Sequence, residues 1–287
     1  MSNMLTSYFN HQLDKLGYPS GDLDLRYRLS FSQGDGVAFY GNLNAADLRQ
    51  LLPRLYRHSA IDNAYLRLRN RRYRKLVGEM LDAVEAFSDE GVRIERIDSH
   101  YDHYNTMSLS WDHDHDQMME RIEDEATDPE THLARSDEYR EAWDTLMADL
   151  ENDIMSVSRQ LESDGHDIIM AGRCDAEEVW SFETQRYRVR LIEEPDDDFD
   201  ISGWEKECFI STMQDFIDGK QRYLAMRAEV TDLETDEVIG SDNLCGITLA
   251  VPANNSRFEG FRSELVSVAI QEARELLGSE PQDALAA

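Results

Sequence analysis

From Leu23 to Asn42 the chain alternates: Tyr27, Leu29 and Phe31 are interleaved with Arg26, Arg28, Ser30 and Ser32. A period of two puts alternate side chains on opposite faces of an extended chain, so this run predicts a strand. Gly34-Asp35-Gly36 interrupts it and Val37 and Phe39 follow, which predicts a hairpin or bulged bend. At Asn44 the period changes. Leu48, Leu51, Leu52 and Leu55 recur at helical spacing, with Pro53 predicting a kink or a split. A second helical run carries Leu76, Met80, Val84 and Phe87 and stops at Ser88-Asp89-Glu90-Gly91. Val92 to Trp111 reads as extended, with a bend near Ser99.

Tyr139, Trp143, Leu146, Leu150, Ile154 and Val157 form one stripe of a long helix over Ser136 to Leu161. Strand-like RYRVRLIEE closes the stretch from Val179 to Glu194. A helix over Trp204 to Ile217 and a strand over Gln221 to Thr231 come next, and Val238 to Val251 returns as a strand or strand pair. The chain closes on an amphipathic helix, Arg257 to Leu277, whose stripe is Phe258, Phe261, Leu265, Val268, Ile270 and Leu276. Antiparallel hairpins packed with long amphipathic helices define an α+β fold. The acidic run after Pro195 predicts a linker, and with it two domains, 1–195 and a smaller 201–287.

Charge changes the picture more than composition does. Hydrophobic residues make up 41% of the 287, enough for a real core, yet 59 acids against 29 bases leave a formal net charge of -30. Such a surface repels phosphate, so direct nucleic-acid binding is not expected. Lysine occurs only at positions 15, 75, 206 and 220, and aspartate outnumbers glutamate. That bias fits either salt adaptation or carboxylates that imitate nucleic-acid phosphates. Cys174, Cys208 and Cys245 are isolated and odd in number, which argues against a disulfide framework or a zinc knuckle. Neither a secretory leader nor a membrane span is read, so the cytoplasm is the expected compartment.

Three segments are candidates for chemistry or contact. His100, His103, His113 and His115 lie among Asp98, Asp102, Asp112, Asp114 and Asp116. On a strand, His113 and His115 would share a face, the arrangement a metal-dependent hydrolase or nuclease would need. The spacing matches no metalloenzyme signature, and no cofactor is expected. Gln33-Gly34-Asp35-Gly36 lacks the spacing and lysine of a P-loop and reads first as a turn. Arg67, Arg69, Arg71, Arg72, Arg74 and Lys75, with Tyr65 and Tyr73, form a basic stripe. In so acidic a chain that stripe is expected to meet the chain's own acids or a second copy, as an oligomer contact. The complementary surface is Asp112, Asp114, Asp116, Glu120, Glu123, Asp124 and Glu125, with Asp196, Asp197, Asp198 and Asp200 as a second acidic run.

The segment YRLSFSQGDGVAFYG, Tyr27 to Gly41, resembles a motif of a widespread set of bacteriophage and mobile-element proteins to which no chemistry is assigned. HYDHYNT, from His100, is similar to their Tyr-x-His segment, and VTDLETDEVIGSDNLCGI, from Val230, to a turn-and-strand segment in which Trp usually stands where this chain has Cys245. The resemblance implies a viral setting. Acidic phage proteins without a catalytic signature often bind host machinery, and restriction enzymes, CRISPR effectors and nuclease-helicase complexes all present basic DNA channels. The expectation is a non-enzymatic inhibitor of a host antiviral defence complex, acting as a homo-oligomer in the host cytoplasm. A metal-dependent hydrolase on the histidine cluster is the first alternative, and a phage structural or housekeeping protein of habitat-biased acidity the second.

Overall fold

The computed structural model describes residues 2–58, 64–87, 91–96, 106–197, 199, 201, 203–251 and 259–279. Among them are eight helices and two four-stranded antiparallel sheets, an α+β fold. Backbone contacts divide the chain into two compact units, Thr6–Gly165 and a second made of Met1–Leu5 with His166–Ala287.

The first sheet has the order β1-β2-β3-β4 and is antiparallel throughout. β1 (Asp24–Arg28) and β2 (Gly36–Leu43) form the anticipated hairpin. β3 (Val92–Arg96) and β4 (Met107–Ser110) extend it, and residues 97–105, including His100 and His103, lie outside the described residues. α1 (Ser2–Leu16), for which no element is read from the sequence, buries Phe9 and Leu13. Between β2 and β3 stand α2 (Ala45–His58) and α3 (Ala64–Phe87).

Asn44 opens α2 reciprocally. Its Oδ1 accepts from the N–H groups of Ala46 (2.8 Å) and Asp47 (3.0 Å), while Asp47 accepts from the Asn44 N–H (2.9 Å). These bonds satisfy donors that a helix start otherwise leaves open. α2 is one helix and is not split at Pro53, whose ring lies at the exposed surface.

α4 (His115–Glu125) and the short α5 (Pro129–Leu133) lead into α6 (Ser136–Ala171), ten residues longer than the periodicity predicts. The stripe read from the sequence is buried throughout, from Tyr139 to Val157, and continues through Leu161. Polar groups on the same helix fix its position. Asp153 accepts from Tyr18 Oη (2.8 Å) and Arg54 Nε (2.8 Å), Ser158 Oγ donates to the Val37 carbonyl (2.5 Å), and Asp164 accepts from Tyr8 Oη (2.9 Å). Gly165 lets α6 approach α1 and the hairpin, since a Cβ there would lie 2.5 Å from Leu29 Cδ1 and 2.8 Å from Phe9 Cζ.

In the second unit β5 (Glu177–Glu183), β6 (Tyr187–Glu194), β7 (Gln221–Asp232) and β8 (Glu237–Ala250) form a meander, β8 being one strand rather than two. Val189 and Leu191 with Leu224, Met226, Ala228 and Val230 share the face that packs against α8 (Glu259–Ser279). The side of α8 in this core is Leu265, Ala269 and Ala273, flanked by Val266 and Ile270. This corrects the stripe of large residues read from the sequence: Phe261, Val268 and Leu276 are exposed. The reason is close approach. A Cβ on Gly240 of β8 would lie 2.3 Å from the Ala269 carbonyl oxygen and 2.7 Å from Ala273 N, so only small side chains fit at the contact.

The linker expected after Pro195 does not separate the units. β6 pairs with β7 over eight residues, from Tyr187↔Asp232 to Glu194↔Ala225, so the expected domains 1–195 and 201–287 share one sheet. The division falls instead at Gly165/His166, inside α6. After the acidic run comes α7 (Lys206–Ile217), and Phe199 within the run is buried among Trp204, Phe216 and Tyr223.

Candidate functional site

The acidic segment after β4 folds into a definite local structure. Asp114 has extended backbone angles, and its carboxylate accepts from the Gln117 N–H at 2.8 Å, capping α4. α4 turns Met118, Met119 and Ile122 inward, leaving Asp116, Glu120, Asp124 and Glu125 exposed and Glu123 half-buried. Exposed carboxylates at Asp116, Glu120 and Asp124 therefore recur every four residues, about 6 Å apart along the axis. α6 adds Asp137, Glu141 and Asp144 on its exposed side, around an open surface groove with Arg140. Two arginines lie among these carboxylates. Arg121 pairs with Glu125 (2.7 Å), and Arg140 lies 3.6 Å from Asp116.

The histidines do not form the strand pair expected of them. β4 ends at Ser110, so His113 lies in the turn before α4 and His115 is the first residue of that helix. His113 is buried, with its ring 5.8 Å from that of Trp143, and its Nε2 finds no hydrogen-bond partner among the described residues. Burial holds the His113 pKa below its usual value, against the opposing pull of Asp112 and Asp114. His115 Nε2 lies 3.0 Å from the Ser136 carbonyl oxygen, so this ring ties α4 to the start of α6. No group of three or more His, Cys, Asp or Glu among the described residues could hold a metal ion.

The Gly-Asp-Gly turn is closed on itself. The Asp35 carboxylate accepts from the Ser30 N–H (2.7 Å), Ser30 Oγ (2.9 Å), the Ser32 N–H (3.1 Å) and Ser32 Oγ (3.2 Å). The loop's donors are filled by a carboxylate of the same loop, which leaves them closed to a phosphate. β1 stops at Arg28, and Phe31 leaves the expected strand with φ 59°, a conformation that costs a non-glycine residue on the order of 1–3 kcal/mol.

In the basic stripe, Arg72 pairs with Glu138 of α6, Lys75 Nζ lies 3.5 Å from Glu79, and Arg74 stacks over Tyr56 at 4.5 Å. These contacts fall within the chain, where the sequence reading leaves room for an oligomer partner. Arg71 is exposed, and the side chains of Arg67 and Arg69 lie outside the described residues. Tyr139, buried on α6, donates to Glu79 and meets His132 Nδ1 at 2.9 Å, a three-residue chain that no sequence spacing announces.

The second acidic run divides. Asp196 is 3% exposed and accepts from the Gly246 N–H at 2.6 Å, so it locks the β8 backbone and is withdrawn from any partner. Asp197 is exposed, and Asp198 and Asp200 lie outside the described residues. Among the described residues no helix is long and apolar enough to cross a membrane. No protein-family model, curated protein or solved structure matches the chain.

Proposed function

We propose that the chain is a non-enzymatic binding protein that occupies a basic, nucleic-acid-handling surface of another protein, and that it is a phage product directed at a host antiviral nuclease complex. The observation that carries the reading is the run of exposed carboxylates on firmly packed helices, Asp116, Glu120, Asp124 and Glu125 on α4 and Asp137, Glu141 and Asp144 on α6, with exposed Asp112 and Asp114 in the turn before α4. Placed on helices whose opposite faces are buried, these charges need little ordering when a partner binds, which reduces the entropic cost of association. A net charge of -30 adds long-range steering toward a basic cleft. The viral setting and the defence target rest on the resemblance of Tyr27 to Gly41 to phage sequences.

The test is inhibition by charge-reversed protein. Asp116→Lys, Glu120→Lys and Asp124→Lys together leave the buried face of α4 untouched, and inhibition of the target nuclease is expected to disappear. Unchanged inhibition by the triple variant would remove α4 from the contact.

A further inference from the structure

The polar face of the first sheet ends in a small hollow. Register sets Asn42 opposite Arg93 and Arg93 opposite Ser110, so three neighbouring strands place these side chains in one row. Together with Gly91, Trp111 and Asp112 they line a space of about 20 Å³. That volume admits about one water or the tip of a side chain, and it excludes a nucleobase.

Two groups at the hollow are available to a visitor. Trp111 is 37% exposed although it is an indole, and it meets buried Trp143 edge-on at 6.3 Å between ring centres. Asp112 is exposed and makes no hydrogen bond or ion pair among the described residues. The one cation in the lining is already engaged: Arg93 Nε donates to Asn42 Oδ1 at 2.9 Å, and Nη1 lies 3.7 Å from Glu95. With Arg93 offset by Glu95, Asp112 and nearby Asp114 leave the mouth of the hollow negative.

An aromatic face beside an unpaired carboxylate is complementary to a planar cation. We propose that Trp111 and Asp112 receive an arginine side chain of a basic partner protein, its guanidinium lying on the indole and its N–H groups directed at the carboxylate. The inference rests on the proposed function and gives that contact an anchor at the start of the acidic segment. An anion is disfavoured there by charge. A lysine ammonium would find the carboxylate but would gain less from the flat indole face.

The test uses octa-arginine and octa-lysine as probes of the full chain at low salt, by calorimetry. The parent is expected to bind octa-arginine more tightly. Trp111→Leu keeps an apolar cover over Trp143 but removes the indole face, and it is expected to weaken octa-arginine binding roughly five- to thirty-fold. Asp112→Asn, at an exposed position where folding is not at stake, is expected to weaken it as well. Parental octa-arginine affinity in both variants, or no discrimination between the peptides by the parent, overturns the proposal.

Glu120→Lys with Asp124→Lys separates the two readings. If this pair weakens both peptides while Trp111→Leu and Asp112→Asn do not, the acidic surface stands and the hollow falls. A parent that binds neither peptide removes both.

Discussion

His113 shows how one residue couples burial to pH. Its ring is buried beside Trp143 and its pKa is lowered by desolvation, so the folded chain favours the neutral ring. Above the unfolded value of about 6.5 this contribution is fully present, and it is lost as pH falls through 6.5 toward the folded pKa, because the unfolded chain then binds more protons. Stability measured at pH 7.5 and pH 5 should drop more for the parent than for His113→Phe. An equal drop in both would show that the ring is not desolvated. At Asp153 the expectation is larger. Asp153→Ala leaves Tyr18 Oη and Arg54 without their carboxylate, and urea unfolding should show a loss of about 2–4 kcal/mol. Neither buried role is legible in the sequence, because a buried carboxylate or imidazole is recognised by partners far along the chain: Tyr18 and Arg54 lie 135 and 99 residues from Asp153. Asp196 makes the same point from the other side, a buried backbone lock inside what reads as a solvated acidic run.

At the level of elements, periodicity was informative wherever one face is large and apolar. The α6 stripe follows the pattern, because Leu, Ile, Val and aromatic side chains fill the space between layers. The pattern misled at α8, where contact with the sheet depends on smallness at Ala269, Ala273 and Gly240. Gly240→Ala places a methyl against helix backbone that cannot turn aside, and thermal unfolding is expected to show a loss of about 1–3 kcal/mol. Full parental stability would mean that α8 sits farther from β8. The histidine pair differs from the pattern for a related reason: His113 and His115 would share a face only on a strand, whereas Asp114 caps a helix and the two rings meet different partners.

For the whole molecule, the net charge was plain from composition, and its distribution was not. Arg72, Arg74 and Lys75 are engaged within the chain, whereas α4 and the exposed side of α6 keep their carboxylates toward solvent. If these helices meet a basic channel, affinity must fall as salt rises, since screening acts first on exposed charge. Duplex DNA must then compete for the same channel. The most direct test captures the partner from host lysate on the immobilised chain and challenges the complex with excess duplex DNA at fixed salt. Release of the partner in proportion to added DNA is the predicted result, and a partner that stays bound while it takes up the DNA would contradict occupation of a nucleic-acid site.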